Sequence, residues 1–300
     1  MPASAAEAIA KDAVGANPPS GSDCEDRPDP IDLAKGIAGQ MEGYVRSASE
    51  MSDSDEATIG NRLEAEMSKA EPFRGKWDLP ADVARYGTYA QAMVEQLLKR
   101  GTRSGVHFRV HIVHDSAFNA FALPGGVLGV NTGLFEGKTR LRSESELAAV
   151  LGHEIAHVEL RHPVAIFQFA RAVLGQDADD AAIIIKMLET PISSEHEHEA
   201  DVRGLELAAL AQYDPFAACH MWQRQAQIED GEKPRPTLGG LAGVVLGAAE
   251  KVLSSHPPAA QRCARTLSGA TALMQTLPYA RYYRGERNLN ERLLGPNHPY

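Results

Sequence analysis

The sequence offers little that would cross-link it, carry it through a membrane or draw it to nucleic acid. It has three cysteines, Cys24, Cys219 and Cys263. An odd, sparse set is no disulfide framework, so free thiols are expected, with a single Cys219–Cys263 bridge as the alternative. None sits in a C-x-x-C pair, so a thiolate zinc site is not indicated. Basic residues are outnumbered, 30 Lys and Arg against 40 Asp and Glu, for a formal net charge of −10. That balance argues against nucleic acid as the main partner, and the Tyr279 to Arg292 tract, which mixes Tyr and Arg, reads as ordinary surface. No run reaches the roughly 18–20 apolar residues of a transmembrane span. The longest, Leu238 to Ala249, is short and glycine-laced and reads as a buried or interfacial helix. The first 30 residues lack a charged start followed by an apolar run. As written the chain therefore reads as cytoplasmic, with a periplasmic location the alternative for a truncated or processed start. No repeat of fixed period is present.

The chain does carry enough apolar residues, 43%, for a sizeable core. Residues 1–30, rich in Ala, Pro, Ser and Asp, read as a disordered acidic tail. Residues 31–300 read as a single domain. Helical spacing begins with Leu33, Ile37, Met41, Tyr44 and Val45, and recurs from Val83 to Leu97. Between Val106 and Ile112 the pattern switches to strict alternation, which predicts a half-buried strand. Asn119 to Ala122 and Val127 to Asn131 predict two more, joined through the turn Pro124-Gly125-Gly126. Ser143 to Glu146 is a capping-box start for a helix whose buried stripe is Leu147, Val150, Leu151, Ile155 and Val158. Further helices are expected over Val164 to Leu174, Ala181 to Leu188, Ser193 to Ala211, after Tyr213-Asp214-Pro215, and over Ala259 to Leu277. The Gly231 to Gly240 stretch reads as a mobile loop.

The chemistry concentrates at His153-Glu154-Ile155-Ala156-His157. Residues four apart on a helix stand one turn above each other on one face. His153 and His157 can therefore face one metal ion, with Glu154 beside it in reach of a water molecule. Zinc suits imidazole donors, and a hydrolytic zinc site has three protein ligands and one open position. The acidic stretch Glu195 to Asp201 is the source of the third. A zinc-bound histidine also needs a partner for its other ring nitrogen. Glu197 and Asp201 are one turn apart, and no other Glu in the cluster has an Asp four residues on. Glu197 is thus assigned as third ligand and Asp201 as the partner of a ligand histidine. His162 reads as a supporting or surface residue, and His196 and His198 as flanking the site without binding.

Leu151 to His157, Asn119 to Gly126 and Glu197 to Asp201, in that setting, resemble the gluzincin metalloendopeptidases of family forty-eight. That group includes HtpX, the CAAX prenyl proteases and a periplasmic protease of outer-membrane barrel assembly. Ser255-His256-Pro257-Pro258, followed by Arg262, matches its late motif. The resemblance covers roughly residues 80–275. Ser194 stands where arginine is common, and Gln212 where glycine precedes Tyr-Asp-Pro. The strand and helix patterns suggest a mainly helical α+β fold with a small, largely antiparallel sheet beside the active-site helix, and the resemblance makes it zincin-like. The resemblance implies one Zn2+ ion held by His153, His157 and Glu197, and a zinc-dependent endopeptidase with Glu154 as general base. His256 is then a catalytic candidate near the metal, as a donor to the developing oxyanion. Asn119, Ala120, Phe121 and Ala122 are candidates for pairing with an extended protein or peptide substrate, beside the turn shaped by Gly125 and Gly126. The competing expectation is a zinc-binding, chaperone-like or regulatory module with little proteolytic turnover.

Overall fold

Leu147, Leu151, Ile155 and Val158 recur every three or four residues, so they share one helix face, and that face must be covered. The structure, a computed structural model, describes residues 13–14, 43–44, 47–99, 103–190, 192–232, 259–277 and 281–292. In chain order these form β1 (Ala13–Val14), α1 (Asp53–Met67) and α2 (Thr88–Leu98), which follows a helical turn at Pro80–Asp82 and a wider turn at Val83–Gly87. Then come β2 (Arg109–Val113), β3 (Ala120–Leu123), β4 (Val127–Asn131) and the central helix α3 (Glu144–Glu159). After it follow α4 (His162–Leu174), α5 (Asp180–Glu189), α6 (Ser194–Leu210), α7 (Ala217–Glu232), α8 (Ala259–Thr276), β5 (Tyr282–Tyr283) and α9 (Glu286–Glu291). The fold is α+β and mainly helical.

α3 is covered on all sides by α2, β3, α6 and α7. Leu147, Leu151, Ile155 and Val158 are fully inaccessible, and each such side chain contributes roughly 1.5–3 kcal/mol by leaving water. The opposite, polar face of α3 is buried as well. A second apolar cluster lies under α1, α4 and α5.

Beside α3 lies a three-stranded sheet in the order β2-β4-β3. β3 and β4 form the expected antiparallel hairpin, while β2 runs parallel to β4. Alternation within a strand reports which face is buried but not the direction of its partner. Here β3 reverses against β2 one place away, and β4 fills the slot between and reverses again. At the hairpin turn Gly125 and Gly126 have φ of 73° and 84°, backbone that favours glycine. The turn lies against α1, where a Cβ on Gly60 would come 2.2 Å from the Pro124 oxygen. Glu56 accepts from the Gly125 N–H at 3.2 Å.

Within the expected tail, Ala13–Val14 pairs antiparallel with Tyr282–Tyr283. Most of the helix expected from Leu33 and the loop beyond Glu232 lie outside the described residues, as does His256. The polar stretch from Ser52 is the first turn of α1, with Ser52 capping the Asp55 N–H. Gln212, where the resembled family has glycine, adopts φ 67°, a left-handed conformation that costs other residues about 1–2 kcal/mol. Cys219 is a free, buried thiol, whereas Cys263 is disulfide-bonded, so the expectation of free thiols holds for Cys219 and not for Cys263. Among the described residues no helix is long and apolar enough to cross a membrane.

Candidate metal centre

The centre is built where α3 crosses α6 with nothing but backbone between them. A Cβ on Gly152 would lie 2.7 Å from the Gly204 oxygen, and one on Gly204 would lie 2.6 Å from the His153 nitrogen. The helices run antiparallel from that crossing, so α6 presents Asp201 and then Glu197 to α3 as α3 presents His153 and then His157. Both helices start on serine caps. Ser143 accepts from the Glu146 N–H and Ser193 from the His196 N–H, each at 3.2 Å.

Two imidazoles and a carboxylate converge there. The Nε2 atoms of His153 and His157 are 2.9 Å apart. His153 Nε2 lies 3.5 Å from Glu197 Oε2, and His157 Nε2 lies 3.4 Å from Glu197 Oε1. Donors about 2.0–2.1 Å from a tetrahedral zinc ion lie about 3.3–3.4 Å from one another. The triangle is thus close to the size such an ion needs, and the donor set is one that zinc accepts. These three residues form a buried group that could hold a metal ion.

Behind the triangle each histidine has its own support. His153 Nδ1 lies 3.0 Å from Asp201 Oδ1, and Arg262 Nη2 donates to the same oxygen at 2.5 Å. The Arg262 guanidinium lies 4.0 Å above the Trp222 ring. On the other side His157 Nδ1 is 2.8 Å from His162 Nδ1, and His162 Nε2 is 3.3 Å from Glu199 Oε2.

Burial and the Arg262 charge push the His153 pKa down, but its hydrogen bonds to Asp201 and Glu197 outweigh them and carry it to about 9. Burial and the neighbouring His153 hold His157 below the usual histidine value. Burial would raise Asp201, yet the charge of Arg262 and the bond to His153 bring it to about 2. The carboxylates around His153 thus favour its protonated form, and a cation bound there would compete with that proton.

Glu154 is 2% exposed and lines two cavities. The first is lined by Asn119, Ala120, Phe118, Leu134, Met221 and Trp222, among others. The second has Phe121, Ala122, Ile166, Met187, Leu188 and Ile192. β3 passes along both, and among the described residues it is an outer strand of the sheet. Asn131 N–H donates to the Asn119 carbonyl at 3.1 Å, which makes that residue pair hydrogen-bonded. By the alternation of an antiparallel ladder, Ala120 and Ala122 then turn their N–H and C=O groups to the open edge.

The structure thus brings His153, Glu154, His157, Glu197 and Asp201 together, with Asn119 to Ala122 alongside. Gly125 and Gly126 are instead held in the turn against α1. Arg262 had no role from its spacing, and only its place in the late motif pointed to it. Gly152 and Gly204 left no periodic signal at all.

The profile of peptidase family M48 matches residues 86–269, more than half of the chain. The mitochondrial metalloendopeptidase OMA1 of Schizosaccharomyces pombe is 32% identical over 152 residues, which are 47% of this chain and 44% of that protein. The putative beta-barrel assembly-enhancing protease of Vibrio cholerae is 33% identical over 153 residues, 44% of this chain and 31% of that one. Metalloprotease YcaL of Escherichia coli is 25% identical over 240 residues, 77% of this chain and 85% of its own length. The chain spans less than half the length of the yeast and plant OMA1 proteins it matches. The matched segment contains the His153–His157–Glu197 group, and the chain belongs to peptidase family M48.

Proposed function

We propose that the chain is a zinc-dependent endopeptidase that hydrolyses peptide bonds in extended or unfolded protein segments. The observation that carries this is the position of Glu154, which stands beside the His153–His157–Glu197 triangle and faces an open strand edge. His153, His157 and Glu197 would hold one zinc ion, which when bound supplies Lewis acidity toward water and the scissile carbonyl. Asp201 accepts the Nδ1 proton of His153, leaving the Nε2 lone pair directed into the triangle. His162 does the same for His157. Glu154 takes the proton of the attacking water and hands it to the leaving amine. Ala120 and Ala122 pair with the substrate backbone, and main-chain pairing selects extended segments with little regard to sequence. Asn119 adds a side-chain bond to that backbone, and Gly125 and Gly126 shape the turn that ends the strand. The cavity lined by Phe121, Ala122, Ile166, Met187, Leu188 and Ile192 favours an apolar residue beside the cleaved bond. His256, outside the described residues, is the proposed further donor to the developing oxyanion.

Hydrolysis of unfolded casein by the zinc-loaded chain and by Glu154→Gln tests the reading. The wild type should cleave, and the variant should hold the same zinc while losing on the order of 10²–10⁴-fold in rate. Equal inactivity of both zinc-loaded proteins would leave the non-hydrolytic zinc-binding module as the better account.

A further inference from the structure

Next to the proposed zinc site stands a second convergence of donor atoms, which shares with it only the support that His162 gives His157. His162, at the start of α4, meets His196 and Glu199 of α6. One ligand atom from each lies within 4.8 Å of the others. His196 and Glu199 are three residues apart and so share a helix face. His162 Nε2 is 3.3 Å from Glu199 Oε2, and the His196 ring lies over the His162 ring with centroids 4.5 Å apart. The group is enclosed at one end and open at the other: His162 is buried, while the Glu199 side chain is 50% exposed.

We propose that His162, His196 and Glu199 form a second divalent-cation site, distinct from the His153–His157–Glu197 triangle. Two imidazoles and one carboxylate suit zinc, whereas magnesium and calcium prefer all-oxygen sets. The two rings are tilted by only 26°, so their lone pairs run side by side and one ring must turn for both to point at an ion. His196 is the one placed to do so, since it is half-buried while His162 is buried.

The two sites meet at a hydrogen bond. His157 and His162 face each other through Nδ1 at 2.8 Å. As neutral rings the pair holds two protons, one on His157 Nδ1 and one on His162 Nε2, the latter directed at Glu199. A cation on His162 Nε2 takes the place of that second proton, which leaves to solvent past the exposed carboxylate, so that His162 becomes an imidazolate whose negative charge the cation offsets. The pair then keeps one proton, held between the two Nδ1 atoms. The second ion is thus bound more weakly than the first, because it must take the proton of a neutral ring and leave that ring as an anion.

Calorimetric titration of the metal-free full chain with Zn2+ tests this. The expected isotherm has a tight step of one equivalent followed by a weaker second one. His196→Ala and Glu199→Gln should each abolish the second step and keep the first, which also reports that the variants are folded. Glu154→Gln should keep both. A wild type that binds one equivalent only would overturn the proposal. So would a second step that survives in the His196→Ala, Glu199→Gln double variant, because the weaker ion would then sit elsewhere. Casein hydrolysis separates the two readings: cleavage without a second step sinks only this site, and two steps without cleavage sink only the endopeptidase.

Discussion

The two histidines of the triangle are held by opposite means. His153 is backed by a charged pair, Asp201 and Arg262, with all three residues below 5% exposure. His157 is backed by a neutral ring, His162, whose own partner Glu199 stands half in water. A buried ion pair gives firm orientation, but removing one partner leaves an uncompensated charge. A neutral ring facing an exposed carboxylate orients less strongly and breaks more cheaply. The His153 side is thus the anchor of the centre, and the His157 side is where outside conditions reach it.

The largest effect should follow from Asp201→Ala. It strands the Arg262 guanidinium in the interior, at a cost of about 3–5 kcal/mol, measurable by urea unfolding of the metal-free chain. His162→Ala strands no charge and should cost far less stability. Equal losses in the two variants would dissolve the distinction between the sides. Gly204→Ala should come next. Its methyl would lie 2.6 Å from the His153 backbone nitrogen, so α3 and α6 must part, at about 1–3 kcal/mol for overpacking. Because Glu197 and Asp201 ride on α6, this variant should also weaken zinc binding although it replaces no ligand. Unchanged zinc affinity in a destabilised Gly204→Ala protein would mean that the crossing does not set the triangle.

The anchor side was the more legible in the sequence. A four-residue repeat on a helix has one geometric meaning, so His153 and His157 could be paired from spacing, and Glu197 and Asp201 by the same rule. The strand edge was also readable, because Asn119 to Leu123 and Val127 to Asn131 flank a turn of two glycines. Other features need the third dimension. Arg262 reaches Asp201 from 61 residues away, and no periodicity links them. His162 looks from spacing like an afterthought to α3, since only the break after Glu159 and the start of α4 turn its ring back toward His157. The parallel placement of β2 was hidden for a similar reason, since the strand's own residues do not encode which neighbour arrives later.

The charged side also predicts a pH dependence. The His153 pKa rises from the usual 6.5 to about 9 in the metal-free fold. A raised folded value means that protonation stabilises the fold fully below pH 6.5, and that this contribution is lost as pH climbs to 9. Zinc replaces that proton, so the loaded protein does not share the loss. The gap in Tm between zinc-loaded and zinc-free protein should therefore widen from pH 6.5 to pH 9 in thermal melts. A constant gap would show that His153 holds no proton for zinc to displace.

The smallest effects belong to the neutral side, and there the comparison is sharpest. His162→Ala removes the acceptor that fixes the His157 ring, and should weaken the first zinc step by about tenfold, the low end for losing a ligand's supporting partner. Glu199→Gln keeps a hydrogen-bond acceptor for His162 Nε2 at a half-exposed position. Its effect on stability should stay within about 0.5 kcal/mol, as for other exposed charge partners, and the first zinc step should hardly move. The same titrations that look for the second ion measure this first step. A Glu199→Gln protein that loses the first zinc as readily as His162→Ala would show that the exposed carboxylate governs His157 as firmly as Asp201 governs His153, and the centre would then have two anchors.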